Sequence, residues 1–326
     1  MRTALVTGIW GQDGQFLAEY LLSKEYRVCG LARHSTVHPI PGVELFYGDM
    51  RDGLSLESAI WKAWPDEVYN LAGQVFVPVS WSRPNETFEV NVGGLGKLLE
   101  ILSRIKPNTK VYQASSSEMY GNQDGACDET RTFKPTSPYG ISKLAAHEMV
   151  QIYRAKGMYV VGGILFNHES FRRTPEMVTR KITRAVAAWK LGATEKLTLG
   201  SLDSMRDWGY AGDFVRAMHK MLQQTEPKDY VIGTGVSRSV RDFFRAAVAA
   251  ADLTMPLSYY ETELLETHVN LYRDNEIKHL CANSQKAWQD LKWEPRVAFN
   301  TWVRAMVAHD VQLMSGGKGQ HVEASV

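Results

Sequence analysis

A short apolar run at Thr3 to Thr7 (TALVT) stops at a cluster of glycines, beyond which Phe16, Leu17, Tyr20, Leu21 and Leu22 recur at helical spacing. That change of period predicts a buried strand, a tight turn and an amphipathic helix. The alternation then repeats. Residues 27–32 (RVCGLA), 44–47, 67–71 and 110–113 read as further strands, separated by apolar-periodic stretches at 54–64 and about 85–105. Such alternation predicts an α/β fold on a parallel, doubly wound sheet, with ligands at the carboxyl ends of its strands. Ser137-Pro138 reads as the start of another helix, reaching about Lys156. Downstream, 230–234 predicts one more strand and Val240 to Ala251 a helix with an alanine-rich packing face. Ala287 to Met314 holds two apolar-periodic stretches interrupted by Trp293-Glu294-Pro295. After Met314 the core-forming pattern ends, so 315–326 is expected to be a disordered tail.

Composition narrows the classes of partner. The 326 residues are 44% hydrophobic, and 37 Lys and Arg against 36 Asp and Glu leave a formal charge of +1, which points to neither nucleic acid nor a membrane surface. No apolar run approaches the length of a membrane span. Cys29, Cys127 and Cys281 are scattered without metal-ligand spacing, so no metal site is expected and a reducing, cytoplasmic setting fits. A strand that begins within four residues of Met1 leaves no room for a signal peptide.

The first turn, Gly8-Ile9-Trp10-Gly11-Gln12-Asp13-Gly14, carries the first chemistry. Gly8 permits the turn, Gly11 lets backbone approach a pyrophosphate, and Gly14 allows close packing of helix on strand, with the diphosphate at the helix N-terminus. The whole turn is therefore assigned to a dinucleotide cofactor. The second strand ends in Arg33-His34-Ser35, where an NAD site usually places an acidic residue; Arg33 and Ser35 suit a 2′-phosphate, so NADP is preferred. Asp49, beside Met50, is placed either to accept from the adenine amino group or to cap the helix at 54–64. Leu71, Ala72, Gly73 and Gln74 end the fourth strand with small residues that let backbone pass close to a nicotinamide ribose.

The fifth strand runs into a hydroxyl cluster, Ser115-Ser116-Ser117, followed by Glu118. Tyr139 and Lys143 stand four apart at the start of a helix and so share one face, where the ammonium is expected to lower the phenol's pKa and make it a proton acceptor. Such chemistry accompanies hydride transfer.

Taken together, Thr7-Gly8 to Gly14, Asn70-Leu71-Ala72, Ser115 to Glu118 and Tyr139-Gly-Ile-Ser-Lys143 resemble the extended short-chain dehydrogenase/reductases. More narrowly, GQDG, QASSSEMYG, SPYGISK, LFNHES, VTRKITRAVA, RDWGYAGDFV and DYVIGTG are similar to the GDP-mannose 4,6-dehydratase family, over residues 3 to about 314. The resemblance implies a Rossmann-type NADP domain at 1–166, completed by about 203–235, and a smaller substrate domain from 167–202 and 236–314. It implies Tyr139 and Lys143 as the proton-acceptor pair, Glu118 as the base at C5, and Ser116 as its partner in protonating the departing 6-hydroxyl. By family position His168 and Arg173 serve the cofactor, while Ser80, Ser116, Asn167, Lys181, Arg206, Arg273 and Glu276 surround GDP-mannose. Arg180 and Arg184 share a helical run with Lys181 and read as a solvated face.

Three departures stand out. Trp10 replaces a small residue and must either stack beside the cofactor or swing to solvent, and Phe171 and Asp274-Asn275 replace Pro and Pro-Thr. The loop after Arg33 is shorter than in relatives and puts His34 where they carry an arginine that reaches a neighbouring subunit. A homodimer packed through the helices Asn85 to Ile105 and Tyr139 to Lys156 is expected in place of a tetramer. Two other readings stay open, an NADPH-dependent reductase or epimerase of a GDP-sugar and a non-catalytic NADP-sensing protein.

Overall fold

The computed structural model describes residues 1–34, 40–272 and 275–316. Its strands are β1 (Thr3–Thr7), β2 (Arg27–Ala32), β3 (Val43–Tyr47), β4 (Glu67–Asn70), β5 (Lys110–Ser116), β6 (Val160–Leu165), β7 (Asn167–Glu169), β8 (Leu197–Leu199), β9 (Met205–Tyr210), β10 (Tyr230–Ile232), β11 (Ser237–Ser239) and β12 (Leu265–Thr267). Seven of them form one parallel sheet in the order β10-β6-β5-β4-β1-β2-β3. Chain progression reverses between β1 and β4, which opens a crevice at the carboxyl ends of these two strands. The interior strands read as continuous apolar runs because helices cover both faces. Helices Gln12–Leu22 and Ala211–Leu222 pack on one face, and Gly53–Ala63, Gly94–Ile105 and Pro138–Ala155 on the other.

The rest of the chain builds a smaller body over the carboxyl ends. There β7 pairs parallel with β9, β11 runs antiparallel to β9, and β12 pairs with β8. Helices Val178–Lys190, Val240–Ala250 and Phe299–Met314 enclose an aromatic core that includes Trp189, Trp208, Phe243, Phe244 and Trp302.

Some local expectations change. The helix read at about 85–105 comprises Pro84–Phe88, a π-turn at Glu89–Gly93 and Gly94–Ile105. The π-turn holds Asn91, whose amide bonds both the N–H and the carbonyl of Gln74. Asp52, not Asp49, caps Gly53–Ala63 by accepting from Leu54 N at 3.0 Å. Arg180 is not part of a solvated face. It is 3% exposed and pairs with the fully buried Asp310 at 2.6 Å, an acceptor that Thr183 shares. Within 203–235, β9 joins the small sheet and the return to the large one comes with Ala211–Leu222. Helix Gln285–Leu291 lies within 236–314 yet packs beside β10, with Ala287 and Leu291 in the large sheet's core. The tail expected at 315–326 falls almost wholly outside the described residues.

Candidate active site

At the end of β1, Gly8 takes φ +67°, and a Cβ there would sit 2.8 Å from Ala72 N. A Cβ at Gly14 would lie 2.4 Å from the Gly8 carbonyl oxygen, so the helix start can approach the strand this closely only without side chains. Helix Gln12–Leu22 begins at Gly11 with no side-chain cap, leaving its leading N–H groups for a ligand. Thr7 fastens the two sides of the crevice: its hydroxyl accepts from Leu71 N and Ala72 N at 3.1 Å and donates to Asn70 Oδ1. A bare backbone cradle at a dipole-positive helix end has the shape and electrostatics that a dinucleotide diphosphate requires.

The side chains of that turn are occupied differently from one another. Ile9 is wholly buried in the core. The Gln12 amide reaches the His168 carbonyl at 3.0 Å and accepts from Ser170 Oγ, and Asp13 Oδ2 lies 2.8 Å from His168 Nε2. His168 Nδ1 faces the Phe166 carbonyl at 2.7 Å, so both ring nitrogens point at acceptors. Burial opposes charge on His168, but Asp13's charge and hydrogen bond outweigh it and hold the imidazole above its ordinary range. Burial likewise raises Asp13, yet His168 brings its net value down. His168 and Asp13 thus clamp the glycine turn to β7. Trp10 packs on the rim of the sheet core and points its indole N–H at the His34 carbonyl, 3.4 Å away, which leaves the turn open.

Arg33 lies exposed at the end of β2; Ser35 falls outside the described residues. Asp49 is gripped by Arg51 through both carboxylate oxygens, at 3.0 and 2.8 Å, and that hydrogen bonding holds it below the usual carboxylate range. Met50 is a core residue pressed against Gly94. Gly73 passes so close to Asn91 that a Cβ would lie 2.9 Å from its Oδ1 and 3.6 Å from Lys143 Nζ.

The catalytic candidates come from β5 and from Pro138–Ala155. Ser137 caps that helix by accepting from Gly140 N at 3.0 Å, and Pro138 fits its first turn. Tyr139 is 7% exposed and lines a cavity together with Ser116, Glu118 and Lys143. Ser116 Oγ accepts from Glu118 N at 3.2 Å. Burial pushes the phenol up to about 12, against the lowering influence of Ser116. The expectation that Lys143 sets this value is corrected here, because its ammonium turns to the Ala114 carbonyl at 2.9 Å and sits 5.8 Å from the ring centre. Burial brings the Lys143 amine down to about 8.

The cavity, about 630 Å³, runs from this cluster between the two bodies. Asp13, Leu71, Asn167, His168, Arg173, Lys181, Arg206 and Glu276 line it as well. Arg173 Nε lies 3.4 Å from Glu169, whose carboxylate also accepts from Thr179. Arg206 donates to Met205 O, to Ile277 O and to Glu276 at 2.8 Å, so two expected substrate contacts are tied to each other. Ser80 departs from expectation: it is wholly buried and donates to the Val77 carbonyl, while Val77, Pro78 and Trp81 of the same helix line the cavity. Arg273 falls outside the described residues. Phe171 does not line the cavity; it packs on Phe16 and His309. Sequence reasoning missed the clasp at Thr7, the bridge at Asn91 and the half-exposed Trp81, whose local signal was a lone indole between Ser80 and Ser82.

An all-parallel sheet with a bare glycine cradle, joined to a serine, tyrosine and lysine set over an inter-body cavity, defines an extended short-chain dehydrogenase/reductase. The description "GDP-mannose 4,6 dehydratase" belongs to the family model that matches residues 5–306. The chain is 41% identical to GDP-mannose 4,6 dehydratase 1 of Arabidopsis thaliana, covering 96% of this chain and 90% of the relative. It is also 41% identical to the GDP-mannose 4,6 dehydratase of Homo sapiens, covering 95% and 92%. A solved Thermus thermophilus UDP-glucose 4-epimerase in complex with NAD superposes with TM-score 0.83 at 27% identity, over 95% of this chain and 99% of that one. This chain belongs to the GDP-mannose 4,6-dehydratase family.

Proposed function

We propose that the protein converts GDP-mannose to GDP-4-keto-6-deoxymannose and water, with NADP as a bound nicotinamide cofactor. The single observation that carries this reading is the meeting of Glu118 and Tyr139 on one cavity, which Ser116 and Lys143 also line. The glycine cradle, Gly73 and the cluster at Tyr139 would hold the cofactor, and the exposed Arg33 at the end of β2 favours a 2′-phosphate. When bound, that cofactor supplies hydride acceptance from C4 and hydride return to C6, so the reaction is redox-neutral.

The chain's own residues move the protons. Tyr139 accepts the proton of the mannose 4-hydroxyl as its phenolate, the form that the Lys143 ammonium on the same helix face would stabilise during turnover. A carbonyl at C4 acidifies C5–H, and Glu118 removes that proton. Glu118 and Ser116 then protonate the departing 6-hydroxyl, which leaves as water. Simple reductases and epimerases need no base for C5, and a sensing protein needs no proton-transfer set, so Glu118 weighs against both alternatives. Lys181, exposed on the cavity wall, and the Arg206–Glu276 pair are proposed for the GDP end.

We assign 1–166, about 203–235 apart from β9, and helix Gln285–Leu291 to the cofactor body, and the remainder up to 314 to the substrate body. The proposed assembly is a homodimer through Pro84–Ile105 and Pro138–Ala155, where Phe88, Ile141 and Ile152 stay exposed. Ile141 and Ile152 are three helical turns apart and share a face. The three cysteines are free thiols, which fits the cytoplasm.

The test is incubation of purified protein with GDP-mannose and catalytic NADP+, followed by mass. A product lighter by one water, formed without stoichiometric cofactor turnover, is expected. Unchanged substrate mass, or stoichiometric NADPH oxidation, would contradict the reading.

A further inference from the structure

One buried polar group near the site has no part in the chemistry above. His147 follows Lys143 by four residues, as Lys143 follows Tyr139, so the three share one face of Pro138–Ala155. It is 4% exposed. Its Nδ1 lies 2.9 Å from Ser115 Oγ, on the residue before Ser116. Its Nε2 lies 3.8 Å from Asp229 Oδ2. With a carboxylate on that side, the tautomer protonated at Nε2 leaves Nδ1 to accept from the Ser115 hydroxyl. Burial lowers the affinity of His147 for a second proton, so it works as a neutral hydrogen-bonding group.

Space for the ring is built in. A Cβ at Gly162 on β6 would lie 2.6 Å from His147 Nδ1 and 3.2 Å from Asp229 Oδ1. Asp229 is itself fixed by Gly162 N at 2.6 Å, by Gln151 and by Arg154, whose Nε also donates to the Val160 carbonyl at 2.9 Å. Phe133 closes the remaining side edge-on, 5.6 Å away. A buried imidazole packed this closely is rigid, and it meets the strand one residue from a catalytic hydroxyl.

We propose that His147 is a positioning residue for the dehydratase reaction. Two successive side chains of the catalytic helix hold the end of β5: Lys143 on the Ala114 carbonyl and His147 on the Ser115 hydroxyl. Losing the second allows β5 to slide or twist against the helix, which changes the distance between Ser116 and Tyr139 while leaving the GDP end of the cavity untouched. This inference rests on the activity proposed above.

The test compares kcat and KM for GDP-mannose in the parent, His147→Ala, His147→Asn and Ser115→Ala. Asparagine places an amide close to where Nδ1 stands and so restores a partner for Ser115. His147→Ala and Ser115→Ala are expected to lower kcat about tenfold with KM within about twofold, and His147→Asn to recover most of kcat. Ser115→Ala removes a single oxygen atom and carries the test if His147→Ala does not fold. Variants with parental kcat would overturn the proposal, as would an asparagine variant as poor as alanine or a loss confined to KM. A parent enzyme without turnover would sink the proposed activity itself, whereas an active parent with indifferent variants would sink only the role of His147.

Discussion

The two bodies of this molecule use charged side chains in opposite ways. Around the glycine turn, the surface offered to a ligand is backbone, and charge enters mainly through the Asp13–His168 clamp beneath it. In the body that covers the cavity, charges are spent on one another. Arg180 and Asp310 pair wholly inside, and Arg206 holds Glu276 at the cavity wall. A diphosphate site of the first kind is prepaid in geometry, whereas one of the second kind depends on which guanidinium N–H groups remain after the protein has used its own. An arginine on a cavity wall is therefore weak evidence of ligand contact until its partners are counted.

The sharpest way to break this contrast is at the cluster between the bodies. Glu118→Gln is expected to lower kcat by on the order of 10²–10⁴-fold while calorimetric binding of GDP-mannose stays within about threefold. Near-parental turnover would remove Glu118 from the mechanism. Next in size is the buried pair. Arg180→Ala is expected to cost about 3–5 kcal/mol in denaturant unfolding, because Asp310 is left charged and dry, whereas Arg180→Met with Asp310→Leu should recover most of that loss. A single variant as stable as the parent would show that water reaches the pair. The smallest effect is on the pH profile. Burial sets the Lys143 amine at about 8, below the ordinary lysine range, so its ammonium is present below that pH and lost above it. If the charge serves Tyr139 during turnover, kcat falls on the alkaline side with an apparent pKa near 8. A flat profile to pH 10 would deny it that role.

What the sequence disclosed follows the same division. The turn was legible because Gly8 takes φ +67° and a Cβ at Gly14 would lie 2.4 Å from the Gly8 carbonyl oxygen, conditions that glycine alone meets. Tyr139 and Lys143 were legible because their spacing is local to one helix. Arg180 read as solvated because the residue that buries its charge lies 130 positions away in Phe299–Met314. Arg206 read as a ligand contact because Glu276 meets it from 70 positions downstream. Ser80 sits one residue from Trp81 on a short helix, and which of the two faces the cavity depends on packing that no local period encodes. His147 was silent for a related reason: the glycine that makes room for it is on β6 and its carboxylate is on the approach to β10.

The most direct measurement of the central claim is the fate of deuterium placed at C4 of GDP-mannose. One cavity in which Tyr139 works at C4 and Glu118 at C5 predicts a 4-keto-6-deoxy product that carries the label at C6. Label released to solvent or accumulated in free reduced cofactor would contradict it, because the C4 and C6 steps would then not share one enclosed site.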